Sequence, residues 1–593
     1  MPTIEIKISD FESLLGKGKI SEAELETLLE RVKGEVKEFL PKEDTAKIEL
    51  NDSNRPDLWC SEGIARQVLL MESKRKNHPF FTDRKGTADR KVTVAKELKS
   101  IRPYLAACVA RGMRVTDPIL VQLIQTQEKL AEIFGRKRQT VSIGLYRLPK
   151  IVFPVRYEVA DPVKTRFTPL GFDQPMSLAE ILTRHPKGVA YAHTLKGADR
   201  YPILIDAKEQ ILSFPPIINS REIGEVHVGD SELFVEVTGH DLRMVLLALN
   251  IFAANLSDRG ATIEPVTVQF PEETAFGREI VMPLDFSAPL EVTLDDFNQV
   301  LGEKVTREEV TSLLSRYGYT LSGEGKPFRV TAPPYRDDMM HPIDVIEDFV
   351  ISRGIAHFEP EMPSTFTVGS LSALERLSDR LREEMVGLGL QEVFSNVLGS
   401  RQEFVERMRV EQVGKERPEG RLIEIKNPMT ERFSILRPWL LPSLLRVESA
   451  SSKAFYPHRI FEVGEVARFT PSGEETETRV HLAALMAHPT ANFSELHAVL
   501  EAFFYNLSVR YRLEAISHPT FIEGRAGAIF VGEREAGIIG EIDPEVLTRW
   551  QIGMPAAAFE IDIESLDQNK KGMMDDRSIT PSLEISLEIL FIL

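Results

Sequence analysis

Two cysteines in 593 residues, Cys60 and Cys108, stand far apart, with no Cys-x-x-Cys pair and no histidine at ligand spacing. Neither a disulfide framework nor a zinc site is suggested, and a reducing, cytoplasmic setting is expected. Long apolar runs are missing too: no segment reaches the roughly 18 residues of a membrane span, and Met1-Pro-Thr-Ile-Glu-Ile-Lys7 lacks a signal peptide's apolar core. No membrane partner is expected. Positive charge is short, since 72 Lys and Arg against 90 Asp and Glu leave a net charge of −18. Such a field repels phosphates, so contact with nucleic acid must use local basic patches or a more basic partner chain. The signatures of several enzyme classes are absent: no GxxxxGK[ST] loop, no GxSxG elbow, no HExxH and no kinase set. The twelve histidines show no metal-ligand spacing, and Gly16-Lys17-Gly18-Lys19 reads as a turn rather than a phosphate cradle.

What is present is ordinary globular material, 42% hydrophobic and 27% charged, long enough for about four domains. Residues 1–75 read as an αβ domain: a strand over Ile4–Ile8, a helix opened by a Ser21/Glu24 capping box, then a strand and helix near Lys47–Leu50 and Glu62–Met71. Residues 92–270 mix strands and helices. Tyr201–Asp206 and Gln210–Phe214 form a plausible hairpin, Leu233–Gly239 a further strand, and Asp241–Asn255 an apolar helix buried against it. Residues 271–360 carry two short helices opened by Thr293 and by Thr306 with Glu309, then a strand Phe328–Ala332. Residues 371–593 begin with a helix opened by a Ser372/Glu375 capping box. Its apolar face is Leu374, Leu377, Leu381, Met385 and Leu388, and Gly389 closes it. The terminal run Leu583–Leu593 alternates like a strand at first. The fold class is therefore a multidomain α+β protein.

The densest chemistry lies in Pro333-Pro-Tyr-Arg-Asp337-Asp338-Met-Met-His341-Pro342-Ile-Asp344-Val-Ile-Glu347-Asp348. Pro342 suits a first helical turn, which puts Asp344, Glu347 and Asp348 at i, i+3 and i+4 on one face with Asp338 approaching from the loop. Unneutralised, such carboxylates repel one another, and Mg²⁺ is a natural counter-charge. The alternative is plain helix-start electrostatics, which favour acids in any first turn.

This run resembles the magnesium-binding segment of the phenylalanyl-tRNA synthetase beta subunit. The resemblance implies Mg²⁺ held by Asp338, Asp344, Glu347 and Asp348 and shared with an alpha subunit, with Asp337 unassigned. Asn54-Arg-Pro-Asp-Leu58 with Glu62-Gly-Ile-Ala-Arg66 resembles the N-terminal signature of the compact archaeal and eukaryotic type. The chain's length leaves no room for the extra tRNA- and anticodon-binding modules of the longer bacterial form. Residues 92–270 resemble the family's editing module, a tRNA-deacylase-like domain that removes tyrosine wrongly joined to the phenylalanine tRNA. A pocket shaped for Phe excludes an added hydroxyl poorly, so a second sieve with a buried acceptor is useful. Carried over, the recognition residues are Leu204, Ser213, Glu236 and Thr238, with Glu236 where the family has Asp. The alternative, read from the residues alone, is that Glu236 is the solvent side of an alternating strand.

His458-Arg459-Ile-Phe-Glu462-Val-Gly464 resembles a strand of the class II synthetase core, an antiparallel sheet with helices. Arg459 and Glu462 imitate its ATP-holding pair with altered spacing, but no second arginine in a glycine-rich helix opening follows. Gly524-Arg-Ala-Gly527 and Gly537-Ile-Ile-Gly540 are isolated pairs, so the domain is expected to be catalytically silent. The implied function is that of a phenylalanine–tRNA ligase beta subunit. It would assemble as two alpha and two beta chains with tRNA(Phe), and would meet ATP and L-phenylalanine through alpha. A free-standing deacylase and a non-editing scaffold are the competing readings.

Overall fold

The alternation in Thr3-Ile-Glu-Ile-Lys7 buries Ile4 and Ile6 and leaves Glu5 outside, as a half-buried strand requires. The strand stops at Lys7 rather than at Ile8, because Ile8, Phe11 and Leu15 recur at helical spacing and bury one face of a helix that Gly16 ends in the left-handed region at φ 61°. The computed structural model describes residues 2–52, 54–72, 81, 90–323, 325–411, 421–451, 453–470 and 475–566. Met1–Met362 forms one compact unit and Pro363–Leu593 another. The expected strand at Leu583–Leu593 lies outside the described residues.

In the first unit, β1 (Thr3–Lys7), α1 (Ile8–Leu15), α2 (Glu22–Leu29), β2 (Gly34–Leu40), β3 (Thr45–Leu50) and α3 (Ser61–Met71) follow in order. The Ser21/Glu24 capping box opens α2, and the sheet runs β1-β3-β2. Next come β4 (Lys91–Val94), β5 (Tyr104–Arg111), α4 (Asp117–Lys129), β6 (Val141–Arg147), β7 (Val155–Ala160), β8 (Tyr201–Ile205), β9 (Ile211–Phe214), β10 (Ile218–Asn219), β11 (Glu232–Gly239), α5 (Leu242–Asp258), β12 (Thr262–Gln269) and β13 (Glu279–Met282). They build a ten-stranded mixed sheet, β10-β9-β8-β7-β4-β12-β5-β11-β6, with β13 beside β12. The β8–β9 hairpin forms as read. The sheet curls until its two ends meet: Asn219 on β10 donates its side-chain amide to the Leu145 carbonyl on β6 at 3.2 Å.

Helix α5 is buried almost all round and packs on β5 and β11, as its apolar sequence requires. One apolar core runs from Ile4 and Leu29 through Ile64 and Val68 to Leu246 and Phe252. Buried ion pairs add to it: Arg66 with Asp258 at 2.6 Å, and Arg259 with Asp10 and Glu62 at 2.5 and 2.7 Å. A smaller core gathers β14 (Leu290–Val292), α6 (Leu294–Leu301), α7 (Arg307–Arg316), β15 (Thr320–Ser322), β16 (Phe328–Thr331) and α8 (Pro342–Arg353). Thr293 opens α6 through a full capping box with Asp296. Thr306 caps α7 from one side, accepting from the Glu309 N–H.

The second unit holds α9 (Ala373–Gly387), β17 (Gln391–Glu392), α10 (Leu441–Ala450), β18 (His458–Phe469), β19 (Thr476–Ala487), α11 (Phe493–Asn506), β20 (Tyr511–Ala515), β21 (Phe521–Val531), β22 (Arg534–Ile542) and β23 (Ala556–Asp562). A seven-stranded sheet, β17-β18-β19-β23-β22-β21-β20, is antiparallel except where the edge strand β17 runs parallel to β18. Helices α9 and α11 cover one face through Leu381, Met385, Leu500 and Phe503.

Candidate functional site

On β11, Glu236 sits opposite Gly144 of β6. A Cβ at Gly144 would stand 2.1 Å from Glu236 Oε2 and 2.3 Å from the Tyr146 hydroxyl, so the bare backbone leaves the gap in which these side chains meet. Tyr146, two residues along β6, projects from the same face as Gly144. Its hydroxyl donates to Glu236 Oε2 at 2.7 Å and has Ser213 Oγ of β9 as its second partner at 2.8 Å. A charged Glu236 can only accept, so whenever that carboxyl is ionised the phenol's one proton goes to it and Ser213 Oγ acts as donor to the phenol. These three line a cavity of about 460 Å³, whose walls include Leu145, Phe214, Pro216 and Ile217. An apolar room with a few convergent polar groups is the usual form of a small-ligand site.

Glu236 is only 1% exposed, which removes the solvent-side reading. Burial pushes its carboxyl up to about 7, against the Tyr146 hydrogen bond, the Arg102 charge and the Thr238 hydroxyl, which pull the other way. Of the four residues read as recognition groups, Ser213 and Glu236 reach the cavity. Leu204 and Thr238 are not among its lining residues. Leu204 is core, paired in register with Ser213. The Thr238 hydroxyl accepts from Arg102 Nε at 3.0 Å and lies 3.0 Å from Ser142 Oγ. Arg138, also in the lining, donates to the carbonyls of Pro216 and Ile217 at 3.0 and 2.9 Å. The sequence reading missed Gly144, Tyr146 and Arg102, which no local pattern marks.

The acidic segment folds otherwise than its spacing suggested. Pro342 does begin α8, but Asp344 turns back to cap it, accepting from the N–H groups of Met340 and His341 at 2.8 and 2.7 Å. Asp338 takes a two-pronged hydrogen bond from Arg336 at 3.0 and 2.6 Å, and Asp348 takes another from the same guanidinium at 2.6 Å, with the Tyr319 hydroxyl beside it. Burial would raise the Asp338 carboxyl, but Arg336 outweighs it and holds the group below its usual range. Glu347, its side chain 56% exposed, pairs with Lys33 at 2.6 Å, and Asp337 with Arg243 at 2.5 Å. The premise of unneutralised like charges is thereby corrected: Arg336, which lies inside the run, supplies the counter-charge. Among the described residues no group of three or more His, Cys, Asp or Glu side chains could hold a metal ion. As folded, the four carboxylates are taken up by different partners: Arg336 for Asp338 and Asp348, Lys33 for Glu347, and backbone N–H groups for Asp344.

In the second unit, Arg459 and Glu462 lie three apart on β18 and so face opposite sides of the sheet. Arg459 pairs with Glu495 at 2.9 Å, while Glu462 is buried against Arg437 at 2.8 Å and Ser395. The two glycine pairs lie within β21 and β22, where Gly527 pairs with Ile539 and Gly540 with Ala526, rather than at a helix opening.

Residues 290–355 match the family described as tRNA synthetase B5 domain, and residues 359–563 match the phenylalanyl tRNA synthetase beta chain CLM domain. The class is thus that of an aminoacyl-tRNA synthetase component. The phenylalanine–tRNA ligase beta subunit of Borrelia recurrentis is 39% identical over 571 residues, covering 95% of this chain and all of that one. That of Borrelia hermsii is 38% identical over 575 residues, with the same coverage. The chain belongs to the phenylalanine–tRNA ligase beta-subunit family. A solved N-terminal fragment of the phenylalanyl-tRNA synthetase beta subunit from Pyrococcus horikoshii is 35% identical, with a TM-score of 0.56, and covers 59% of this chain and 99% of the fragment. The two Borrelia relatives are matched over their whole length, so a chain of this size is not confined to archaea and eukaryotes. Among the described residues no helix is long and apolar enough to cross a membrane.

Proposed function

We propose that this chain is the beta partner of a heteromeric phenylalanine–tRNA ligase of the compact type otherwise expected of archaea and eukaryotes. The alpha subunit joins phenylalanine to tRNA(Phe) at the expense of ATP, and two copies of each chain assemble. The class II-like second unit takes no part in that chemistry, a reading supported by Arg459 and Glu462 facing opposite sides of β18. Residues 92–270 act as the editing module, which hydrolyses tyrosine wrongly esterified to the tRNA.

The observation that carries the editing reading is a buried carboxyl group, Glu236, at the wall of a cavity of about 460 Å³, bonded to Tyr146 and so to Ser213. A buried acceptor of this kind favours a ligand that brings a hydroxyl over one that lacks it. The test is the rate of Tyr-tRNA(Phe) hydrolysis by the assembled complex carrying Glu236→Ala beside its parent. A loss of about 10- to 100-fold is expected for removing such an acceptor. Equal rates would remove Glu236 from the site, and a parent no faster than spontaneous hydrolysis would leave the chain a scaffold. Full activity of the beta chain without alpha would favour a free-standing deacylase.

A further inference from the structure

Tyr146, in the cavity wall, hydrogen-bonds to both Ser213 and Glu236, and it is itself completely buried. Its ring is held against Phe234, with centroids 5.9 Å apart, and Phe234 is held in turn by Phe153 at 5.7 Å. Burial and the neighbouring Glu236 push the Tyr146 hydroxyl well above its usual range, so it keeps its proton and stays a donor. A glutamate has three side-chain torsions, and an unheld carboxyl at a cavity wall turns among several directions. One hydrogen bond from a rigid donor removes that freedom.

We infer that Tyr146 is a positioning residue for specificity: by donating to Glu236 across the gap left by Gly144, it fixes the direction in which the carboxyl group meets a phenolic ligand, while Ser213 holds the Tyr146 hydroxyl in place. The inference rests on the editing reading and deepens it. Discrimination for a hydroxyl depends on an acceptor already in position, since an acceptor that must first be ordered returns part of its hydrogen-bond energy as lost entropy. Gly144 belongs to the same device, because any side chain there would separate Tyr146 from Glu236.

The experiment uses the complex with the alpha subunit and measures kcat and KM for hydrolysis of Tyr-tRNA(Phe) and of Phe-tRNA(Phe). Parent, Tyr146→Phe, Ser213→Ala and Glu236→Ala are compared, with melting temperatures measured on each. Tyr146→Phe keeps the ring and its packing and removes only the hydroxyl. It should lower the Tyr-over-Phe ratio of kcat/KM roughly ten-fold, the loss being carried in the KM of the tyrosyl ester, and Ser213→Ala should lower it less. A complex that has lost Tyr146's hydroxyl yet keeps the parent ratio, while Glu236→Ala loses it, overturns the inference and leaves the editing reading standing. An equal loss on both esters, or a loss in kcat alone, marks a merely structural role and also overturns it. If Tyr146→Phe does not assemble, Ser213→Ala decides: an unchanged ratio overturns the inference. A parent that hydrolyses neither ester above the uncatalysed rate overturns the editing reading itself, and the inference with it.

Discussion

Replacing Glu236 by Gln should abolish a pH dependence of stability that the parent chain carries in its cavity wall. The folded carboxyl titrates at about 7 against 4.5 for a free one, because burial disfavours its charge. Between those values the folded state binds the extra proton, so stability falls as pH rises, fully present below 4.5 and fully lost above 7. At about 1.4 kcal/mol per unit, the window of 4.5 to 7 amounts to about 3 kcal/mol. The groups facing Glu236 do not titrate in that range: Tyr146 and Tyr157 are raised by burial, and Arg102, lowered by burial to about 10, stays charged. His240, which also feels Arg102, is present in both chains and cancels. Amide hydrogen exchange of β6 and β11, corrected for intrinsic rates, reads the effect locally. Glu236→Gln should be protected roughly 100-fold more than the parent at pH 8 and only about four-fold more at pH 5. The same ratio at both pH values would refute the assignment of a raised, buried carboxyl.

Arg336→Met should destabilise the first unit by about 3–5 kcal/mol, because it leaves Asp338 and Asp348 buried without their cation, and thermal melting checks this. Lys33→Ala, which breaks the partly exposed pairs with Glu347 and Asp52, should cost about 1 kcal/mol or less in the same assay. The magnesium reading, which rests on the resemblance, predicts that Asp344→Ala with Glu347→Ala weakens association with the alpha subunit in a Mg²⁺-dependent way. Sizing chromatography unchanged by chelator in both forms would leave Asp344 a helix cap and Glu347 a surface ion-pair partner.

What could be read from the chain was local. Capping residues such as Ser21 and Thr293, Pro342 at a helix start and the two short apolar runs of β8 and β9 each act within a few residues, and each formed its element where expected. Helix α1 was hidden because Ile8 continued the apolar alternation of β1. The cavity was half legible. Ser213 and Glu236 came from a family resemblance, but Tyr146 lies 67 residues from the first and 90 from the second, and only the fold brings them together. The acidic run was legible in its helix start but not in the partners of its carboxylates. Its counter-charge was in plain view at Arg336, and spacing alone cannot say whether a carboxylate will turn towards solvent, a guanidinium or its own helix's N–H groups.

The meeting of β10 with β6 gives the cavity an unusual kind of seam. Ser213 and Glu236 stand on strands near opposite ends of one curled sheet, with no backbone hydrogen bond between them. What spans the join is side chains: the Asn219 amide on the Leu145 carbonyl, and the Tyr146 hydroxyl between serine and glutamate. A wall closed in this way depends on side chains at its join and not on a strand ladder, so a substitution at the seam alters the cavity while the backbone pairing of the sheet is left as it is.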